Sequence, residues 1–388
     1  MSKLDKNIYF KELSNKFNKN YLDFYKLINE NYSFMEVLTI LKAYDIASSL
    51  HAGQKRKSGE DYIIHPLNIS YILAEQGFDY ETICAALLHD TVEDTNYTLD
   101  DVKNDFGCVI SNLVDGVTKM KGSDFTSKEE EKIATHKKIL DFITKDSRII
   151  AIKLADRLHN MYTLDSLKYN KQIEIATETK DFYVNLARFL GVYQIKDELQ
   201  DLSLFILEPE KYLEIYELRK ELKAKYYDEI EYLKDNIKQK LDAININMDY
   251  NYKIKNIGAI NEEFMQNINL YDIKDLLAIR MIVENVSDCY KTLGVIHSSY
   301  NMVPNSFYDY IATPKYNGYK SLNTNIKTNN NSLFQIRIRT KEMQRTNSLG
   351  IVSNWSLETQ EILNEKCSSM FLENKKEMHG KSFVKEGF

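Results

Sequence analysis

Residues that interrupt helices are scarce in this sequence. Only 4 prolines and 13 glycines occur among 388 residues. Proline removes a backbone donor and glycine adds conformational freedom, so both weaken a helix interior and are used in turns. The scarcity favours long helices over a turn-rich all-β fold. A chain of this length is also expected to contain two or three structural units.

The apolar pattern changes along the chain. Through residues 1–170 apolar residues recur at helical spacing, and residues 171–240 continue this pattern with alternating charges, as expected of a helical connector. Residues 276–283 form an apolar run of strand length, and residues 287–300 are predicted to be helical. Segments 319–327 and 333–340 flank a polar turn, which predicts a hairpin. We therefore expect an all-α domain at 1–170, the connector at 171–240, a small α/β domain with a mixed sheet at 241–355 and a C-terminal tail at 356–388.

Charge and composition exclude several classes of protein. The formal net charge is −6, whereas a protein that coats nucleic acid needs clustered Lys and Arg. The N-terminus is charged from its third residue, and no stretch approaches the roughly 20 apolar residues that span a bilayer. The four cysteines are scattered and form no Cys-x-x-Cys pair, so neither a zinc knuckle nor a disulfide framework is expected. These features predict a cytoplasmic protein without a nucleic-acid or membrane partner.

An adjacent histidine and aspartate give the strongest chemical signal. His89 and Asp90 lie in a segment predicted to be helical, and Glu93 and Asp94 follow one turn later. On a helix, these four side chains would cluster near one end of a common face. Such a cluster beside apolar neighbours is an electrostatic liability without a cation. Imidazoles combined with carboxylates suit manganese or iron better than calcium.

Two further residues complete a metal-ligand pattern. His65 precedes a proline, which places it near a helix start, and Asp156 lies beside an apolar strip much later in the chain. A histidine, a His-Asp pair and a distant aspartate form the signature of HD phosphohydrolases. The bare pattern is loose, because a single histidine or aspartate is more often structural. Whether His65 and Asp156 are metal ligands therefore has to be judged from the motifs around them.

Five segments stand in order around these residues: QKRKSGE at 54–60, YIIHP at 62–66, LHDTVEDT at 88–95, DGVTK at 115–119 and LADRLHNM at 154–161. Together they closely resemble the hydrolase domain of the RelA/SpoT family. The resemblance implies an all-α HD-type phosphohydrolase domain. It also implies an enzyme that removes the 3′-pyrophosphate from ppGpp or pppGpp and leaves GDP or GTP.

The resemblance implies a role for each matching residue. The metal, usually manganese, would be held by His65, His89, Asp90 and Asp156. Glu93 and Asp94 would be the catalytic acids. The substrate-binding residues would be Arg56, which stacks on guanine, together with Lys57, Ser58, Asn160 and Thr163. For Lys57, Ser58 and Thr163 a solvated or capping role is the alternative.

Residues from about 250 to 355 resemble the nucleotidyltransferase-like synthetase domain of the same family. The matching segments include DLLAIR at 275–280, NGY at 317–319 and IRTKEM at 338–343. Residues of this site that are present are Lys255, Asp275, Lys315 and Tyr319. Tyr319 is implied to stack on the guanine of the acceptor.

Other positions of the synthetase site depart from the family pattern. Gln335 stands where the resemblance requires the second acid of a magnesium-binding pair, and Ser306 and Tyr308 stand where it requires phosphate-binding cations. A neutral amide is a poor magnesium ligand and cannot act as a base. We therefore expect no Mg²⁺ at this site and no ppGpp synthesis. The domain is either a guanine-nucleotide-binding remnant or a structural one.

The favoured function is thus a manganese-dependent (p)ppGpp hydrolase whose partners are guanine nucleotides. One alternative is a bifunctional synthetase and hydrolase, and another is a non-catalytic guanine-nucleotide sensor. A third is an HD enzyme of other specificity, such as a deoxynucleotidase, which the neighbourhood of Arg56 disfavours. Family members often add a C-terminal regulatory half that meets the ribosome. The sequence stops about 30 residues after Trp355, so no ribosome contact is expected from this chain.

Overall fold

A computed structural model describes residues 18–118, 136, 146–350 and 352. Within these residues the chain forms two compact units, which are described in turn. Across the described ranges, every helix is too short or too polar to cross a membrane. Residues 1–17 and the predicted tail at 356–388 lie outside the described residues.

The first unit is all-helical. Its helices are α1 Tyr21–Asn31, α2 Phe34–Leu50, α3 Ile64–Gln76, α4 Tyr80–Leu88, α5 Thr91–Asp94, α6 Leu99–Phe106 and α7 Cys108–Val117. Helix α4 packs against α2, α3 and α7. Asp79 caps its first turn by accepting a hydrogen bond from the N–H of Thr82 at 2.8 Å, and every residue from Thr82 to Leu88 is buried. A helix that is apolar all round is stable only when it is surrounded, which is why α4 lies in the core.

A run of helices continues the chain. Helix α8, Arg148–Tyr162, is followed by α9 Tyr169–Glu178, a π-helical segment Thr179–Tyr183, α10 Val184–Leu190, α11 Tyr193–Leu207 and α12 Pro209–Asp242. Proline is the first residue of α12, where its missing N–H breaks no helical bond. Buried residues recur at intervals of three, four or seven positions from Tyr212 to Leu241, so this 34-residue helix has one apolar face. The helical prediction for residues 171–240 is confirmed.

The second unit contains a mixed sheet. Its strands are β1 Asp249–Ile254, β2 Leu277–Val283, β3 Asn301–Met302, β4 Tyr308–Asp309, β5 Leu322–Lys327 and β6 Leu333–Thr340. Helices α13 Ile257–Met265, α14 Val286–Ser299 and α15 Lys341–Leu349 lie between or after them. The strand order is β1-β2-β6-β5-β3, and β4 pairs with β5. Strands β2 and β6 are parallel and the other pairs are antiparallel.

The predicted strand at 276–283, the helix at 287–300 and the hairpin at 319–340 are confirmed by β2, α14 and the β5–β6 pair. The two parallel strands alternate between apolar and polar faces. Ile279 and Ile336 are fully buried and paired in register. Arg280 pairs with Arg337 in the same register. Because side chains alternate along a strand, the two arginines project to the opposite face from the isoleucines and lie side by side.

Candidate active site

His65 lies in the first turn of helix α3. The helix begins at Ile64, and Pro66 follows the histidine at a position where a missing N–H breaks no helical hydrogen bond. The backbone N–H of His65 donates to the carbonyl oxygen of Tyr62 at 3.0 Å, and the residue is buried. The prediction that His65 stands near a helix start is confirmed.

The prediction of one continuous helix around the His-Asp pair is wrong, because the chain turns at His89 and Asp90. Helix α4 ends one residue earlier, and α5 starts at Thr91. Two side chains bind the last carbonyl groups of α4. The Thr91 hydroxyl donates to the oxygen of Leu88 at 2.6 Å, and Nδ1 of His89 lies 2.8 Å from the oxygen of Ala86. Side-chain bonds of this kind compete with the helical ladder, which explains the break.

His65 and His89 both lie close to the Asp90 carboxylate. Their ring centroids are 5.5 Å apart. Oδ1 of Asp90 is 3.2 Å from Nε2 of His89, and Oδ2 is 3.8 Å from Nε2 of His65. Nδ1 of His89 faces the carbonyl oxygen of Ala86, which can only accept, so Nδ1 is the donor in this contact. A histidine that binds a metal through Nε2 carries its proton on Nδ1, and this contact supports that arrangement.

Asp156 joins the two histidines in a group that could hold a metal ion. One ligand atom from each of His65, His89 and Asp156 lies within 4.8 Å of the other two. The two histidines are buried and the aspartate is half-buried. Imidazole nitrogens together with carboxylate oxygens suit a divalent transition metal. The donor set therefore fits such an ion.

Tyr62 connects two of the predicted acidic residues. Its hydroxyl group donates to Oδ2 of Asp90 at 2.7 Å and lies 3.2 Å from Oδ2 of Asp94. Burial and then the negative charge of Asp90 raise the pKa of Tyr62 well above its ordinary value, so the hydroxyl keeps its proton and remains a donor. The ring of Tyr62 stacks on His51, with centroids 4.6 Å apart. Tyr62 was not among the residues predicted from the sequence, and the available signal was its place three residues before His65.

Helix α8 holds a hydrogen-bonded group of predicted site residues. Asn160 follows Asp156 by one turn, and its Nδ2 donates to Oδ1 of Asp156 at 2.7 Å. Oδ1 of Asn160 accepts a bond from a terminal nitrogen of Arg56 at 2.8 Å. The other terminal nitrogen of Arg56 lies 3.2 Å from Nδ1 of His159, which is buried. Two partners thus fix the plane of the Arg56 guanidinium group.

The remaining predicted residues of the first site have less constrained surroundings. Lys57 and Ser58 are exposed in the turn that follows Arg56. The hydroxyl of Thr163 lies 3.3 and 3.4 Å from two carbonyl oxygens at the end of helix α8, which is a capping geometry. Glu93 is half-buried and Asp94 is exposed.

A separate cavity of about 800 Å³ lies in the second unit. Its lining includes all five residues that the sequence marked there, Lys255, Asp275, Lys315, Tyr319 and Gln335. The same lining contains eight Lys or Arg residues but only three Asp or Glu residues. The cavity is therefore strongly basic, although the whole chain is acidic.

Asp275 and Gln335 are both engaged by cationic neighbours. Nζ of Lys255 donates to Oδ1 of Asp275 at 2.7 Å. A terminal nitrogen of Arg337 lies 3.8 Å from Oδ2 of Asp275, and Nε of Arg337 donates to Oε1 of Gln335 at 2.6 Å. Arg337 was not predicted as a site residue, because its contact with Asp275 joins residues 62 positions apart in the chain.

Tyr319 lies among cations. Nζ of Lys315 and the guanidinium carbon of Arg339 are each 5.6 Å from the centre of its ring. Burial acts to raise the pKa of Tyr319, but the positive charges of Arg339 and Arg337 outweigh it and lower the pKa below its ordinary value. Ser306, by contrast, is buried, and its hydroxyl donates to a backbone carbonyl at 2.7 Å.

Two family models match the chain. Residues 43–193 match the model described as "HD domain", and residues 250–361 match the model described as "Region found in RelA / SpoT proteins". The first range contains His65, His89 and Asp156, and an HD domain suggests a divalent metal at that group. The second contains Asp275 and Gln335.

Three curated relatives are similar over about four-fifths of this chain. The "GTP pyrophosphokinase" of Streptomyces coelicolor is 42% identical over 83% of this chain and 38% of the relative. The "Guanosine-3′,5′-bis(diphosphate) 3′-pyrophosphohydrolase" of Aquifex aeolicus is 40% identical over 82% of this chain and 45% of the relative. The "Bifunctional (p)ppGpp synthase/hydrolase SpoT" of Escherichia coli strain K12 is 37% identical over 83% of this chain and 46% of the relative. This chain thus spans less than half the length of these relatives, whose names include both synthesis and hydrolysis.

Proposed function

The chain belongs to the RelA/SpoT family, and from this premise we propose that it is a metal-dependent (p)ppGpp 3′-pyrophosphohydrolase. The products would be GDP or GTP and pyrophosphate. The observation that carries the proposal is the group formed by His65, His89 and Asp156. The similarity to relatives named as pyrophosphohydrolases supports the substrate class. The test is whether the metal-loaded chain turns over ppGpp and the chelated chain does not.

We assign the metal to His65, His89, Asp90 and Asp156, and we expect it to be Mn²⁺. When bound, such an ion polarises a phosphoryl oxygen and lowers the pKa of a bound water molecule. The protein's own contribution is to fix the ligands. The Ala86 carbonyl orients His89, the Tyr62 hydroxyl orients Asp90, and the Asn160 amide orients Asp156. Such supporting bonds hold metal ligands in the geometry that binding requires.

Glu93 and Asp94 are the proposed proton acceptors. Both lie on the short helix α5, directly after the His-Asp turn. Water attacks the phosphorus bonded to the ribose 3′-oxygen and gives up a proton. The bond between that phosphorus and the ribose oxygen breaks, the ribose oxygen takes up a proton to become the 3′-hydroxyl group, and pyrophosphate is released. A carboxylate within reach of the attacking water can take that proton. Glu93 is less exposed than Asp94 and is the first candidate for this role.

Arg56 is the proposed guanine-binding residue. A planar guanidinium group binds well to the face of an aromatic ring, and the bonds to Asn160 and His159 hold that plane fixed. Less orientational freedom is then lost on binding. Lys57, Ser58 and Thr163 would lie beside the nucleotide.

We further propose that the second domain makes no ppGpp. The bifunctional alternative is supported by relatives named as a pyrophosphokinase and as a bifunctional enzyme. Against it stands Gln335, whose amide can neither accept a proton nor replace a magnesium-binding carboxylate. A non-catalytic guanine-nucleotide sensor is the third candidate. Turnover of ppGpp by the metal-loaded chain would exclude the sensor, and product formation from ATP and GDP would favour the bifunctional enzyme.

A further inference from the structure

Three arginines line the basic cavity of the second unit without enough acidic partners. Arg280 and Arg337 are paired in register on strands β2 and β6, and Arg339 follows on β6. Within the described residues, the Arg280 side chain makes no hydrogen bond and no ion pair. Arg339 is buried, and its Nε has no partner among the described atoms. A buried donor without an acceptor is costly, so this arrangement favours a bound anion.

The pKa values agree with this charge imbalance. Burial lowers the pKa of Arg339 to about 10, and the like charges of Arg337 and Arg280 act in the same direction. Burial and then the charge of Arg337 also lower the pKa of Arg280. Each shift means that the cationic form is disfavoured by its surroundings. An anion in the cavity would relieve this penalty.

Arg337 also contacts the two residues at which the resemblance implies a magnesium-binding acid pair. Its guanidinium group contacts both Gln335 and Asp275, the residues at the two positions of the expected acid pair. Asp275 has a second cationic partner in Lys255, at 2.7 Å. Lys255 also pairs with Glu263 at 2.6 Å. Asp275 is nevertheless the one acid at the two expected positions, and two cations already contact it, which disfavours a divalent ion there. The residues present therefore do not fit Mg²⁺.

We propose that this cavity binds a phosphate-rich anion without a divalent metal ion, and that Arg337 supplies there the positive charge that a metal would otherwise bring. A guanidinium group forms paired hydrogen bonds to phosphate oxygens, so the three arginines match the chemistry of a diphosphate group. Tyr308, Tyr310 and Tyr319 also line the cavity. Their rings would favour a diphosphate attached to a planar base, which makes a nucleoside diphosphate the expected class of ligand.

Calorimetric titration of the full chain with inorganic pyrophosphate and with GDP, both in excess chelator, tests the proposal. The chelator removes the metal from the first site, so the outcome does not depend on the proposed hydrolase activity. We expect both probes to bind, with GDP the tighter of the two. Arg337→Gln should weaken each by at least about tenfold, because a hydrogen bond between charged groups is lost. Addition of Mg²⁺ in excess over the chelator should not strengthen binding.

Arg345→Gln is the matched control. Arg345 is exposed on helix α15 and does not line the cavity. The affinity of this variant for pyrophosphate and for GDP should therefore stay within about twofold of that of the parent chain. If Arg337→Gln does not fold, as judged by circular dichroism, Arg280→Gln replaces it, because the Arg280 side chain makes no bond that the fold would lose. The proposal is overturned if binding requires Mg²⁺, if no probe binds in chelator, or if the cavity variant binds as tightly as Arg345→Gln.

Discussion

The hydroxyl group of Tyr62 lies 2.7 Å from Oδ2 of Asp90 and donates a hydrogen bond to it. Asp90 in turn lies within 3.8 Å of the imidazole rings of both His65 and His89. One neutral side chain therefore holds the Asp90 carboxylate, which is a proposed metal ligand. Its hydroxyl is also within 3.2 Å of Asp94, so it links a proposed ligand to a proposed catalytic acid.

Tyr62→Phe removes only this hydroxyl and should weaken Mn²⁺ binding about 10- to 100-fold, as the loss of a bond to a metal ligand commonly does. Turnover of ppGpp at saturating Mn²⁺ should fall less. The Kd for Mn²⁺, measured by calorimetry, checks this. Tyr25→Phe is the control, because Tyr25 is exposed on helix α1. Equal Mn²⁺ affinity in Tyr62→Phe and the parent would show that the bond does not support the ligand.

Asn160→Ala removes the amide that accepts from Arg56 and donates to Asp156. We expect the KM for ppGpp to rise about tenfold, because the guanidinium plane is no longer fixed for stacking. Arg56→Ala should raise KM at least as much. Steady-state kinetics at saturating Mn²⁺ provide the measurement, with Asn185→Ala on the exposed face of helix α10 as the control. An unchanged KM in both Arg56→Ala and Asn160→Ala would show that neither residue contributes to nucleotide binding.

Glu93→Gln keeps the shape of the side chain and removes its proton-accepting charge. The kcat for ppGpp should fall about 100-fold or more while the nucleotide still binds. Single-turnover kinetics and equilibrium binding separate these two effects. The exposed Glu75→Gln of helix α3 is the matched control and should retain full activity. A normal kcat in Glu93→Gln would show that another carboxylate is the proton acceptor, and Asp94 would be the first candidate.

The second domain should form no ppGpp from ATP, GDP and Mg²⁺. A Glu93→Gln background prevents hydrolysis from hiding a product. The double variant Gln335→Glu/Arg337→Gln restores the missing acid and removes the guanidinium group that contacts Asp275. If synthesis can be recovered, we expect this variant to show it first, at a slow rate. Chromatography with a no-enzyme control provides the measurement. Product above that control without the double substitution would establish the bifunctional alternative.

Local patterns predicted much of the fold. The strand at β2, the helix α14 and the hairpin of β5 and β6 follow from residue spacing and turn residues over short distances. The break at His89 was missed because it depends on side chains that bind the Ala86 and Leu88 carbonyl groups. Helical spacing does not carry that information.

In both sites, some residues are indicated by similarity to a family and others only by the structure. Similarity to a family indicated His65, His89 and Asp156, and the structure brings these three together. It could not indicate Tyr62 or Arg337, whose importance lies in contacts with Asp90 and Asp275. Such contacts join distant parts of the chain and become visible only in three dimensions.

Product analysis with Mn²⁺-loaded protein and ppGpp tests the central claim most directly. We expect GDP and pyrophosphate in equal amounts, no turnover in excess chelator, recovery when Mn²⁺ is returned, and no turnover by Asp90→Ala, which loses a proposed metal ligand. Full turnover by protein shown to be free of metal would contradict the account, as would failure of the Mn²⁺-loaded chain to release pyrophosphate.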